Sequence, residues 1–179
     1  IGYLRITQFS ESVPKKVEEA LQELKEKEVE GLILDLRNNS GGLVSSGIAV
    51  ADSLLSEKPV VETKNRNGIK DAIISQKETS FDGPMVTLVN KGTASASEIL
   101  AGSLQDNERS ILMGEKTYGK GLIQSLKSLG EDSGIAITVA SYLTPKGNNI
   151  QGQGMTPDKL LDHPDASEKG SANDKWVRN

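Results

Sequence analysis

Lys91-Gly-Thr-Ala-Ser95-Ala-Ser-Glu98 stands between an apolar run, Met85-Val-Thr-Leu-Val89, and a segment in which Ile99, Leu100, Ser103 and Leu104 share one helical face. The pattern predicts a buried strand, a turn and a helix, in that order. Ser95-Ala-Ser-Glu98 is also a capping box: the serine hydroxyl is placed to meet the Glu98 amide, and the carboxylate to reach back. On this stretch alone, a plain helix start accounts for the serine.

A helix-length gap later comes Thr117-Tyr-Gly-Lys120-Gly121. The chain's one histidine, His163, lies far from both stretches in a polar region. A Ser-His-Asp triad is therefore hard to build, and a serine nucleophile with a lysine base is the variant that remains. Gly114-Glu-Lys-Thr-Tyr-Gly119-Lys120 matches the P-loop spacing as well. However, Gly121 stands where a magnesium-holding Ser or Thr belongs, and Leu122-Ile-Gln-Ser-Leu126 reads as a strand rather than a phosphate-binding helix. Strand alternation continued back to Lys120 puts Lys120, Leu122 and Gln124 on one side, so that Gln124 can hold the lysine amine towards Ser95.

Two backbone amides are candidates for an oxyanion hole. The first amides of a helix lack intrahelical partners, and Ala96 supplies one beside the nucleophile. Asn38-Asn-Ser-Gly41-Gly42 joins a strand over 31–36 to a helix over about 43–55. Gly41 in that turn lets backbone approach a ligand closely, which makes its amide the second candidate.

Elsewhere strands and helices alternate, which predicts an α/β domain. Ser12 and Pro14 start a helix whose face is Val13, Val17, Leu21 and Leu24. Segments 60–64 and 69–75 flank Asn65-Arg-Asn-Gly68, a hairpin-type loop, and 135–143 alternates before Thr144-Pro145. Residues 1–158 form the expected core. Residues 159–179 read as a polar, mobile tail ending in the start of a helix over 172–178. A length of 179 residues suits one domain with a real core. A net charge of -4 argues against nucleic acid or an anionic membrane as a general partner. Zero cysteines removes disulfides and thiolate chemistry, and no Cys/His cluster or carboxylate spacing suggests a metal. No cofactor is expected.

Ordered motifs carry a family resemblance from residue 1 to about 158. They are Gly2-Tyr-Leu-Arg-Ile6 with Phe9, Leu34-Asp-Leu-Arg-Asn-Asn-Ser-Gly-Gly-Leu43, Gly92-Thr-Ala-Ser-Ala-Ser-Glu-Ile99 and Gly114-Glu-Lys-Thr-Tyr-Gly-Lys-Gly121 with Gln124. Tyr142-Leu-Thr-Pro-Lys-Gly147 and Ile150-Gln-Gly-Gln-Gly154 with Pro157-Asp158 complete the series. The chain is similar to the carboxyl-terminal processing peptidases, or tail-specific proteases. The resemblance implies a crotonase-like core of β-β-α units. It places the nucleophile on Ser95, the general base on Lys120, the orienting residue on Gln124 and the oxyanion hole on the amides of Gly41 and Ala96. Asp106 matches a position sometimes implicated in the family, although a solvated carboxylate at a helix end explains it equally well.

The resemblance also implies proteins with flexible apolar carboxyl-terminal tails as substrates, and an extracytoplasmic place: periplasm, cell envelope, or thylakoid lumen in a photosynthetic source. Family members usually carry a helical segment and a PDZ domain ahead of the core, so these 179 residues read as a catalytic core alone. A lysine is a poor base while charged, and burial away from carboxylates can supply the shift to the neutral form that the role of Lys120 needs. An inactive peptide- or ligand-binding relative of the same fold is the competing reading.

Overall fold

The computed structural model describes residues 1–178 except 66, 69, 77, 131–132, 163–168 and 172. His163, and Ile69 at the start of an expected strand, lie outside the described residues. Strand β1 (Gly2–Arg5) leads into helix α1 (Val13–Glu26) and strand β2 (Leu32–Asp35). Helix α2 (Val44–Leu54), the hairpin of β3 (Pro59–Asn65) and β4 (Lys70–Ile74), and β5 (Met85–Val89) follow. Next come α3 (Ala96–Asp106), β6 (Ile111–Gly114) and the long hairpin of β7 (Leu122–Gly130) and β8 (Ser133–Leu143). The described chain closes with β9 (Lys159–Leu160) and α4 (Lys175–Arg178).

One sheet is parallel throughout, in the order β1-β2-β5-β6-β9. Its central strands are apolar runs because packing covers both faces, as parallel sheets require. Leu32, Leu34, Leu88, Val89 and Leu112 are all buried. Helix α1 buries Val17 and Leu21, and its Leu24 packs so tightly on Gly2 that a Cβ there would lie 2.9 Å from the leucine methyls. Ser12 precedes α1 as expected, but its own backbone is helical (φ -82°, ψ -13°) and its hydroxyl meets that of Ser10 instead of capping an amide. Helix α2 crosses α3 where Gly47 meets Ala96; a Cβ on Gly47 would sit 3.0 Å from the Ala96 carbonyl oxygen. The second sheet, β4-β3-β8-β7, is antiparallel. Val60, Val61 and Tyr142 anchor it in the core, whereas Leu129, Ile135, Ile137 and Val139 on its far arm are exposed. Burial pushes the Tyr142 phenol up to about 12.

Past Asp158 the structure departs from the expected polar tail. β9 extends the parallel sheet beside β6, and Asp174 and Trp176 are buried. Arg37, itself fully buried, explains the docking. It donates to Asp35 (Nε to Oδ1, 2.9 Å) and to Asp174 (Nη1 to Oδ1, 3.0 Å). Burial works against the Arg37 charge, but the two carboxylates outweigh it and hold the guanidinium above its ordinary range. Burial likewise raises Asp174, and the Arg37 guanidinium with the Gly170 and Trp176 amides brings it below the usual carboxylate range. Tyr3 completes the cluster, its hydroxyl donating to Asp35 Oδ2 at 2.6 Å.

Candidate active site

The candidate residues cluster at the C-terminal ends of three neighbouring parallel strands, β2, β5 and β6, which is where open α/β sheets assemble ligand sites. β2 leads to the 38–42 turn, β5 to Ser95 and β6 to the loop carrying Lys120.

Ser95 sits at φ 59°, ψ -120°, between β5 and α3. A non-glycine residue held there is strained by on the order of 1–3 kcal/mol, a cost that persists only where surrounding bonds enforce it. Those bonds are present. The Glu98 carboxylate, fully buried in the first turn of α3, accepts the Ser95 amide on Oε2 at 3.0 Å. This is the carboxylate half of the expected capping box. The same oxygen accepts the Lys120 amide at 2.8 Å. Oε1 takes the Thr117 hydroxyl at 2.6 Å and the Gly119 amide at 2.7 Å. One side chain therefore holds the backbone of Ser95 and the backbone of the lysine loop around a single centre.

The 38–42 turn is fastened to the serine turn just as densely. Asn90 Oδ1 accepts the amides of Asn38 and Gly92 at 2.9 and 3.0 Å, and its Nδ2 donates to Asn38 Oδ1 at 2.8 Å. The buried Ser97 hydroxyl donates to the Asn39 carbonyl at 2.9 Å, which gives Ser97 a structural task away from chemistry. Gly41 (φ +104°) lies against Ser95: a Cβ would be 2.8 Å from Ser95 Cβ and 3.1 Å from the Ala96 nitrogen. The Ala96 amide has no intramolecular acceptor among the described residues, and Ala96 is buried beneath Gly41. The Gly41 amide donates instead to Asn39 Oδ1 at 2.9 Å.

The lysine side differs from its expectation. Lys120 is exposed rather than buried, and its amine makes no hydrogen bond to Ser95 or Gln124. β7 begins only at Leu122, and its register with β8 shifts between Ile123 and Gln124. The unbroken alternation that paired Lys120 with Gln124 is therefore absent, and Gln124 is exposed. The loop's backbone is nevertheless tightly packed. Gly119 accepts from the Gly152 amide at 2.9 Å, Gly121 donates to Gln151 Oε1 at 2.8 Å, and Thr117 Oγ1 accepts the Met155 amide at 2.7 Å. A phosphate cradle is ruled out here, because the Gly119 and Lys120 amides that would face an anion are taken by Glu98. Asp106 accepts the Lys146 amide at 2.8 Å, and so braces the 144–147 turn.

Glu98, Thr117, Ser97 and Asn90 have roles that the sequence reading assigned only in part. Glu98 stood out as a capping partner, whereas its bonds to 117–120 join residues about twenty positions apart.

The model for peptidase family S41 matches residues 1–161. A carboxyl-terminal-processing protease of Synechocystis is 51% identical over 164 residues, covering 92% of this chain and 38% of its own length. The chloroplastic C-terminal processing peptidase of Tetradesmus obliquus is 45% identical, with 90% and 35% covered. The solved photosystem II D1 C-terminal processing protease superposes with a TM-score of 0.84 at 43% identity, over 89% of this chain and 42% of that one. The chain thus spans roughly two fifths or less of these relatives' lengths. The tricorn protease, at 20% identity and a TM-score of 0.55, shares the fold alone. With its mixed α/β, crotonase-like core and its ordered glycine-rich turns, the chain belongs to peptidase family S41, a family of serine peptidases.

Proposed function

We propose that these residues form the catalytic core of a serine endopeptidase that works by a Ser95/Lys120 dyad. The Glu98 carboxylate carries the reading, because one oxygen, Oε2, accepts both the Ser95 and the Lys120 amides. Ser95 Oγ attacks the peptide carbonyl carbon while the neutral Lys120 amine takes its proton. The carbonyl oxygen gains negative charge, which the Ala96 amide receives, joined by the Gly41 amide once it leaves Asn39 Oδ1. Lys120 then protonates the departing amine, and water cleaves the acyl-serine ester to regenerate Ser95. Gln124 orients the lysine in the loaded site. Lys120 is exposed here, so the water exclusion its role requires comes with the bound peptide.

The substrate class is a protein with a flexible, mostly apolar carboxyl-terminal tail. Such a tail can add as a strand along β7, an edge of the second sheet immediately beyond Lys120. An open groove of about 640 Å³ beside the 38–42 turn, lined in part by Ser10, Ser12, Gly42 and exposed Leu43, has room for a neighbouring side chain. Capture of the tail by a PDZ domain, which the family resemblance implies, is assigned to the longer protein, as is an extracytoplasmic or lumenal place of work.

The test is labelling with a fluorophosphonate followed by cleavage of a peptide with an apolar tail. Labelling of the parent chain that Ser95→Ala abolishes supports the dyad. Labelling that persists in Ser95→Ala removes Ser95 from the mechanism, and absence of labelling favours an inactive binding relative.

A further inference from the structure

The segment from Gly170 onward lies beyond the 1–161 match to the family, yet it reaches the two loops that flank Ser95. Asp174 grips the Arg37 guanidinium with both oxygens: Nη1 to Oδ1 at 3.0 Å and Nη2 to Oδ2 at 2.5 Å. Asp35 grips the adjacent Nε/Nη2 edge, again with both oxygens, and no part of any of these three side chains is exposed. A planar guanidinium forked on two edges has a single orientation open to it. Arg37 is the residue immediately before the 38–42 turn, whose Gly41 abuts Ser95. Asp174 is itself held, accepting the amides of Gly170 at 2.8 Å and Trp176 at 3.2 Å.

Trp176 supplies the second contact. Its ring lies over the Arg37 guanidinium, 5.3 Å from carbon to centroid. Its far edge reaches Gly114, where a Cβ would lie 2.9 Å from the ring. Gly114 ends β6 and starts the loop that carries Lys120. A single short segment thus touches the exits of β2 and β6, on either side of the strand that delivers the nucleophile.

We infer that Asp174 and Trp176 are positioning residues for catalysis: acting through Arg37 and Gly114, they hold the oxyanion turn and the lysine loop in register about Ser95. This rests on the Ser95/Lys120 reading above. It assigns a mechanistic task to a region that composition presents as a solvated tail. The bound state of this segment also becomes a point at which activity is set without any contact to substrate.

Asp174→Asn and Trp176→Leu in the full chain test it, with Trp176→Phe as the conservative partner. The readouts are kcat and KM on an apolar-tailed peptide, the rate of fluorophosphonate labelling, and circular dichroism with Tm. The expected result is a fall of at least about tenfold in both kcat and labelling rate. KM should change little, the spectrum should stay native well below Tm, and Trp176→Phe should recover most of the rate. Parent-like labelling and kcat in Asp174→Asn and Trp176→Leu overturn the inference. So does either chain failing to fold, since the segment would then be needed for stability alone. Ser95→Ala is run alongside: labelling that survives it refutes the dyad reading itself, an outcome separable from fast labelling in the Asp174 and Trp176 variants.

Discussion

The two halves of the candidate site are built by different means. On the serine side, Asn39, Gly41, Ser97 and Glu98 are buried, and side chains that accept backbone amides cross-link the 38–42 and 90–98 turns. On the lysine side, Lys120 and Gln124 are exposed at the root of a hairpin whose far arm leaves Leu129, Ile135 and Ile137 exposed. The nucleophile and its oxyanion donors must be correct to within a fraction of an ångström, and buried polar networks deliver such rigidity when every member is satisfied. A proton acceptor on a long flexible side chain needs only to arrive. The Ser95 turn is therefore preorganised, whereas the Gly41 amide has still to leave Asn39 Oδ1 and the lysine half is completed by what binds.

The largest effect expected from breaking this contrast is loss of the chemistry itself. Ser95→Ala, Lys120→Ala and Lys120→Arg should each drop peptide cleavage to background with an unchanged circular dichroism spectrum. An arginine cannot give up its proton near neutrality. Ser95→Gly should be equally inactive yet about 1 kcal/mol more stable in a denaturant melt, because glycine relieves the positive φ. Activity retained in Lys120→Arg would remove the lysine from the mechanism.

Glu98→Gln comes next. A carboxamide offers one acceptor oxygen where four donors now share two, and its NH2 would face two of them. Stability should fall by roughly 3 kcal/mol and kcat by about a hundredfold, read by urea melts and steady-state kinetics. If kcat falls while stability does not, the rigid frame resides elsewhere. Gly41→Ala should cost about a hundredfold in kcat with KM nearly constant, because a methyl placed 2.8 Å from Ser95 Cβ and from the Ala94 oxygen displaces the turn.

Smaller still is a dependence on acid. Asp174 is held below the ordinary carboxylate range in the fold, so its contribution is fully present above its unfolded value of ~3.9 and fades as pH falls below that. Arg37 and Asp35 are the charged groups facing it, with the Tyr3 hydroxyl on Asp35. The Tm difference between parent and Asp174→Asn should be greatest near neutrality and shrink below about pH 4; a constant difference across that range would contradict it. Ser97→Ala and Gln124→Ala should show the least. The first loses about 1 kcal/mol with the Asn39 bond. The second loses several-fold in kcat with no stability change, and equal effects on rate at both positions would blur the distinction between the two halves.

Much of the parallel sheet was legible in the sequence because its signals are local. Met85-Val-Thr-Leu-Val89 is β5 without a residue's difference, and α3 begins one residue after the serine that was expected to start it. The turns at Gly41 and Gly119 declared themselves by composition. What escaped was nonlocal or irregular. The register shift at Ile123/Gln124 leaves no trace in hydrophobic periodicity, so alternation carried too far. Arg37 and Asp174 are 137 positions apart, and each alone reads as a solvated charge. Trp176 and Asp174 were hidden by the polar residues around them, since a four-residue helix with one buried side chain has almost no amphipathic signature.

Glu98 holds the loop at position 120 by its main chain alone. Every amide it grips there would be present whatever side chain the residue carried. The proposed proton acceptor is thus a fitting mounted on a frame that does not depend on it. Framework and base are separable at this point, and selection can exchange or discard the base without redrawing the backbone that presents it.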